Sequence, residues 1–357
     1  MIKAEGCFLK LNTSMKGLLL IVYLFNLTAC STVSFYTQGV VGHSKLMLAR
    51  EPVDKVLKNA NEPLATQLLL SKELKEFAVT ELSLPDSKSY NTYVALKREF
   101  PVWVVVATSE FSTTPKRWCY PVIGCAAYRG YFKQSSAIDY SQGLVDQGFE
   151  VSVGGAPAYS TLGWFADPLL DSMMRYGDVN FAETLFHELA HQELYINGDS
   201  AFNEAFATVV GQQGVVRWLT SLEKSDELKK YQSQLKATKE FNRLLTRFKE
   251  RLSVLYSSQV LDDVKRKQKA LIFKELQHEY KQLKEGEWQG VGWFDQWFNR
   301  PLNNARLASF STYYDRVPEF ELLLKKCGGS LRQFYRVLRG LKKQEQVVRV
   351  PNECEDR

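Results

Sequence analysis

His187-Glu188-Leu189-Ala190-His191, followed by Phe202-Asn203-Glu204-Ala205-Phe206-Ala207, is the stretch from which the rest of the chain can be read. It holds two of the protein's four histidines. Residues four apart on a helix share a face, with Cβ atoms about 5–6 Å apart. His187 and His191 can therefore offer two imidazole nitrogens to one zinc ion. Glu188 is turned roughly 100° away, which suits a general base and not a ligand. A catalytic zinc needs a third protein ligand and an open position. Residues 192–203 leave room for the helix to end, turn at Asn197-Gly198-Asp199-Ser200 and send a second helix back with Glu204 in its first turns. Asp199, in that turn, is the rival ligand. Leu194 and Asn197 stand where a His-x-x-Gly-x-x-His extension would place its last two motif residues, which disfavours the metzincin arrangement.

At 357 residues the chain can bury a large core, as one domain or a domain with an insertion. Its apolar content of 45% and charged content of 24% are those of a globular protein. The net charge of +6 is scattered through helical-looking segments, which argues against nucleic-acid binding.

Residues 1–30 are read as a signal peptide. Met15-Lys16 is a short basic start and the better candidate for translation initiation than Met1. Leu18 to Phe25 is an apolar run too short to span a bilayer, and Leu27-Thr28-Ala29-Cys30 resembles a bacterial lipobox. On that resemblance Cys30 becomes a lipidated N-terminus that anchors the protein to a membrane. Ser31, where aspartate would signal inner-membrane retention, points to the outer membrane, with the protein facing the periplasm. The alternative is an uncleaved anchor or a buried segment. Of six cysteines, Cys7 and Cys30 belong to the leader. In an oxidising compartment Cys119 and Cys125, flanking the turn Tyr120 to Gly124, could form a disulfide, as could Cys327 and Cys354; free thiols are the alternative.

The pattern predicts a helix from Val33 to Asn59, broken near Gly39 and Gly42, and another opened by Pro63 and running to Leu82. Trp103 to Ala107 reads as a buried strand, Tyr128 to Phe132 as a partner, Ser136 to Gln147 as a helix, and Phe149 to Val153 as a strand ending at Gly154-Gly155. Asn180 with Glu183 looks like a capping box for the motif helix. No proline occurs between Pro168 and Pro301, and that span reads as helices. Residues 222–287 form a helical hairpin insertion with a hinge near Ser257-Ser258. Its expected apolar stripes are Phe241, Leu244, Leu245, Phe248, Leu252 and Leu255 on one helix, and Val264, Leu271, Leu276, Tyr280 and Leu283 on the other. The hairpin packs on itself or serves as a partner-binding arm. Trp288 to Phe298 returns to the core, and Glu319 to Leu324 begins a closing helix.

With Asn203-Glu204, the motif resembles the gluzincin class of zinc peptidases. Nearly the whole mature chain resembles a family of bacterial lipoproteins described as "putative aminopeptidases". That likeness rests on Trp118-Cys119-Tyr120-Pro121, Tyr128 to Phe132, Ala158 to Trp164, the metal core, Asn303-Asn304-Ala305 and Thr312-Tyr313. It implies an α+β, mostly helical fold with a zincin-like core: a small sheet before the HExxH helix, then the long hairpin, with residues 31–357 as the peptidase domain. It implies Zn²⁺ on His187, His191 and Glu204, with Glu188 as base and a peptide as substrate. Such a site needs a donor for the developing oxyanion, for which Tyr313 is the candidate and Tyr314 the second. Gly155 to Ser160 could form an edge strand for the substrate backbone, bringing Gly155, Ala156 and Tyr159 into the site. Arg129 could hold a substrate carboxylate or serve as a structural ion-pair partner. No acidic residue lies between Gly154 and Phe165 to bind a substrate α-amine; Asp167 or Glu183 could supply that charge. A different class of function also fits: a non-catalytic envelope lipoprotein with a structural zinc site, closed by four protein ligands.

Overall fold

The computed structural model describes residues 33–120, 124–161, 163–341 and 349–355. The leader, Cys7, Met15 and the lipidation candidate Cys30 lie outside the described residues. The chain divides into two compact units, Met1–Leu48 and Ala49–Arg357. In the first, helix α1 covers residues 33–48 and runs unbroken through Gly39 and Gly42. The expected break does not occur there because glycine keeps its N–H; it weakens a helix by about 1 kcal/mol but does not interrupt the hydrogen-bond ladder as proline does.

The second unit opens with strand β1 (Glu51–Pro52), helix α2 (Val53–Leu57) and helix α3 (Leu64–Thr80), the last starting after Pro63. Strand β2 (Thr92–Val94) pairs antiparallel with β1. The central strand β3 (Val102–Ser109) carries the β-branched run, and Val105 through Thr108 are buried on both faces. The hairpin of β4 (Trp118–Tyr120) and β5 (Gly124–Ala126) places Cys119 directly opposite Cys125, joined by a disulfide. Strand β6 (Arg129–Tyr131) pairs with one edge of β3, helix α4 (Gln134–Val145) crosses the sheet, and β7 (Phe149–Ala156) pairs with the other edge.

Gly154 and Gly155 do not end β7. The strand continues to Ala156, and the missing side chain of Gly155 admits the Phe100 ring; a Cβ on Gly155 would lie 1.9 Å from Phe100 Cδ2. Strand β8 (Leu169–Leu170) then pairs parallel with β2.

Helices make up most of the remaining chain: α5 (Asp171–Met174), α6 (Asp178–Glu193), α7 (Ser200–Ser221), α8 (Ser225–Ser257), α9 (Asp262–Glu285), α10 (Asp295–Phe298), α11 (Asn304–Tyr314), α12 (Val317–Lys326) and α13 (Leu331–Arg339). The fold is thus α+β and mostly helical. Among the described residues no helix is long and apolar enough to cross a membrane. The expected capping box at Asn180 is absent. Gly177, at φ +87°, sets the start of α6, so Asn180 is the third helical residue and donates to the Tyr176 carbonyl at 2.7 Å. Glu183 then falls inside the helix.

Helices α8 and α9 form the hairpin, and the α8 stripe is buried along its whole expected length. On α9 the second half of the expected stripe holds, with Leu276 and Tyr280 buried and Leu283 packed against the same core, and the first half is replaced. Val264 and Leu271 are exposed, and the inward face is Lys269, Phe273, Leu276 and Tyr280. Lys269 is drawn inward because its ammonium pairs with Glu150 of β7 and donates to the Glu110 carbonyl at 2.8 Å. The hairpin core is not closed by the two helices alone. Trp288 and Leu307 are buried in it, with Phe294, Trp297, Phe298 and Phe310 packed around, and Phe241 stacks on Phe294 at 4.0 Å. The closing helices α12 and α13 bring Phe320 and Phe334 against Phe206 of α7, and a second disulfide joins Cys327 to Cys354.

Helices α6 and α7 make the closest helix pair. A Cβ on Gly211 would sit 2.9 Å from the Glu183 carbonyl oxygen, and one on Gly214 would sit 2.5 Å from Phe186 Cδ2. Small residues at these two positions let the backbones approach. Gly214→Ala is expected to overpack the contact and cost about 1–3 kcal/mol, seen as a lowered Tm; an unchanged Tm would mean that the contact yields without strain.

Candidate metal centre

The apolar positions of α6 dictate how it lies. Phe181, Ala182, Leu185, Phe186, Leu189 and Ala190 are all buried, and this fixes the rotation of the helix about its axis. His187 and His191 then point to one place. Their Nε2 atoms are 3.2 Å apart and their rings cross at 87°. Glu204, near the start of α7, meets them from across the turn. Its Oε2 lies 3.3 Å from His187 Nε2 and 3.8 Å from His191 Nε2.

The turn is held by two side chains. Asp199 accepts from the Phe202 N–H at 3.0 Å, capping α7. Asn203 grips Ile196 at both ends of its peptide groups: Oδ1 accepts from the N–H at 2.7 Å and Nδ2 donates to the carbonyl at 2.8 Å. Thus the residue before Glu204 anchors the linker that brings Glu204 into position. Asp199 also faces Arg316 at 3.4 Å, a residue that pairs with Glu319 at the start of α12. Among the described residues, the group whose ligand atoms converge within 4.8 Å is His187, His191 and Glu204, without Asp199.

The electrostatics follow from burial. Desolvation pushes His191 down to about 4, so its ring is neutral and keeps a lone pair. Burial also pulls on His187, but the hydrogen bond and charge of Glu204 outweigh it and lift that ring above the usual histidine value. For Glu204 burial raises the carboxyl, and the hydrogen bond to His187 with its imidazole neighbours brings it below the usual range. Two neutral-capable imidazoles and one carboxylate form a donor set that fits Zn²⁺.

Glu188 points elsewhere. Burial raises its carboxyl to about 7; His187 opposes the shift, while Glu204 and Asp167 add to it. It shares its surroundings with buried Tyr90, whose phenol is raised by burial, then by Glu188 and Asp167. Asp167, wholly buried, accepts from Thr161 N and Thr161 Oγ1, each at 2.8 Å, and so ties down the segment after β7. Glu183 lies one turn before His187, half-buried beside Tyr231, and desolvation raises its carboxyl.

Of the two tyrosine candidates, Tyr313 faces the carboxylates: Glu204 first, then burial, Tyr128 and Glu188, hold its phenol protonated. Tyr314 stacks on Phe310 at 4.4 Å and faces Glu183. The chain also brings in two residues that spacing did not indicate. Tyr128 OH lies 3.5 Å from Glu204 Oε1, and the Tyr195 phenol is raised by burial and by Glu204. Tyr195 lies just past the end of α6, beyond the extended residue Leu194, so helical spacing does not relate it to His191. Nothing in the sequence near Tyr128 points to residue 204.

The expected substrate edge differs in detail. Gly155 and Ala156 belong to β7, but the strand ends there and residues 157–160 leave the sheet. Asn303 and Arg300 donate to the Val151 and Val153 carbonyls at 2.9 and 3.0 Å. These contacts take the outer edge of β7 up to Gly155, the next residue facing the same way. Tyr159 packs edge-on against Phe132 at 5.2 Å. Arg129 lies over the Tyr140 ring at 4.4 Å and donates to its hydroxyl at 3.2 Å.

In the metal-free protein Glu188 keeps its proton up to about 7, whereas its ordinary value is 4.5. Between these values the folded state binds more protons than the unfolded state, so this group's contribution to stability falls as pH rises. Chelator-treated Glu188→Gln should lose that part of the decline, read as Tm against pH for variant and wild type. Parallel curves would contradict the burial of Glu188.

A family model described as "Putative aminopeptidase" matches residues 34–351. No curated protein and no solved structure matches. The match runs from within α1 to beyond α13 and takes in both histidines, Glu188, Glu204 and Tyr313. The chain belongs to this aminopeptidase family.

Proposed function

We propose that this protein is a zinc-dependent peptidase of gluzincin type, a hydrolase with a zincin-like core that cuts peptide bonds with water and acts as an aminopeptidase. The observation that carries this reading is the convergence of His187 Nε2, His191 Nε2 and Glu204 Oε2, with Glu188 on the same helix turned out of the ligand set. A zinc ion held there supplies Lewis-acid polarisation of a carbonyl and lowers the pKa of water to about 7. Glu188, in its buried setting, takes the proton of the attacking water and hands it to the leaving amine. The protonated phenol of Tyr313 donates to the oxygen that gains charge. The end of β7 at Gly155 and Ala156 lines the substrate backbone, and Tyr159 and Arg129 shape the flank.

The leader supports a location. Signal-peptide features ending at Cys30 favour a lipoprotein of the cell envelope, anchored in the outer membrane and facing the periplasm. Two disulfides are consistent with an oxidising compartment.

Metal content and digestion of a peptide library, both read by mass spectrometry, test the chemistry. Glu188→Gln should retain zinc while hydrolysis falls by about 10²–10⁴-fold; full activity in that variant would remove the mechanism. Single-residue trimming from peptide N-termini is expected, and internal cuts would replace the aminopeptidase reading with an endopeptidase one. Labelled palmitate should enter the wild type and not Cys30→Ala; equal labelling would overturn the anchor.

A further inference from the structure

Glu204 presents its two carboxylate oxygens to different partners. Oε2 faces both imidazoles, while Oε1 lies 3.5 Å from the hydroxyl of Tyr128. The terminal torsion of a glutamate is soft and nearly twofold. An unheld carboxylate could therefore turn both oxygens toward an ion and fill an additional coordination position.

Tyr128 is itself held from another part of the fold. Its ring packs against Val106 of β3 and against Ala305 and Ala308 of α11. The next residue, Arg129, pairs with Val105. The sheet and α11 thus fix where the hydroxyl stands, independently of the α6–α7 turn that delivers Glu204.

We infer that Tyr128 is a positioning residue whose hydroxyl donates to Glu204 Oε1, turning Oε2 alone toward the metal position and leaving the fourth position of a tetrahedral set open. This rests on reading His187, His191 and Glu204 as zinc ligands. A hydrogen-bond partner behind a metal ligand orients it and raises affinity, and its loss weakens binding by about 10–100-fold.

The test uses the full chain, stripped with chelator and titrated with zinc against a chromogenic competitor. The visible absorption of the cobalt(II) form is recorded as well, because it reports coordination number. Tyr128→Phe keeps the ring and its packing. It should melt with the wild type when stripped, bind zinc about 10–100-fold more weakly, and show a weaker cobalt band as a fifth ligand atom joins. Val106→Ala loosens the packing beneath the ring and keeps the hydroxyl. It should lower Tm while leaving the cobalt band unchanged.

Wild-type affinity and spectrum in Tyr128→Phe would overturn the inference. So would a Tyr128→Phe protein that no longer melts with the wild type, or a Val106→Ala protein whose cobalt band shifts in the same way, since each would make the effect one of packing. A wild-type protein that takes up neither metal would instead overturn the ligand reading itself, and this inference with it.

Discussion

How close α7 can come to α6 decides whether Glu204 reaches the two imidazoles. Imidazole and carboxylate side chains are short, and ligand atoms from two helices meet within hydrogen-bond range only when the backbones nearly touch. Gly211 permits that contact, standing against the Glu183 carbonyl and the Cβ of His187. The Asn203 clamp on Ile196 then sets the phase of α7, so that the residue after it faces His187 and not solvent. Helix α3 supports the pair from behind, through Phe77 on Phe186, and α12 supports it through Phe320 on Phe202.

Burial at this contact has an electrostatic consequence. Glu204, His191 and Asp199 are almost closed to water. An isolated carboxylate would be expensive there, and it is compensated by the imidazoles on one side and phenols on the other. Glu188 has less compensation, and its carboxyl accordingly rises to about 7, within the range in which a general base is effective. Burial and then the Glu204 charge keep the Tyr128 phenol protonated, and the Glu204 charge and then burial do the same for Tyr313, leaving both as donors. One helix thereby holds titratable groups in two settings: imidazoles at positions 187 and 191 turned to Glu204, and at 188 a carboxyl raised by burial.

The long hairpin belongs to this arrangement more than its length suggests. Its apolar face is filled by Trp288, Phe294, Trp297 and Phe298, the segment that leads into α11. Lys269 and Arg266 fasten α9 to Glu150 and Glu110, at the β7 and β3 ends of the central sheet. Asn304, the first residue of α11, takes part in the same network: its N–H donates to Glu150 and its amide donates to the Glu110 carbonyl. Helix α11 carries Tyr313. The hairpin therefore helps fix the helix that brings a phenol toward the carboxylates.

The local elements were legible wherever chemistry repeats at short range. The four-residue spacing of His187 and His191, the β-branched run of β3 and the proline-free helical span could all be read from residues near one another in the chain. The misreadings came where a distant partner decides. Gly154-Gly155 suggested a strand end, yet Phe100 fills the space above it; Asn180 suggested a cap, yet Gly177 starts the helix; and Lys269 lies on the inward face of α9 because Glu150 is there to receive it. By itself the sequence determined the helix that presents two imidazoles and the likeness of Glu204 to a third ligand, since helical periodicity ties spacing to direction. Only the tertiary structure decided that Glu204 and not Asp199 meets them, that Tyr313 lies toward Glu204 and Glu188 while Tyr314 lies toward Glu183, and that Tyr128 stands behind Glu204. Those outcomes depend on close approach between segments far apart in the chain, which packing sets and local pattern does not encode.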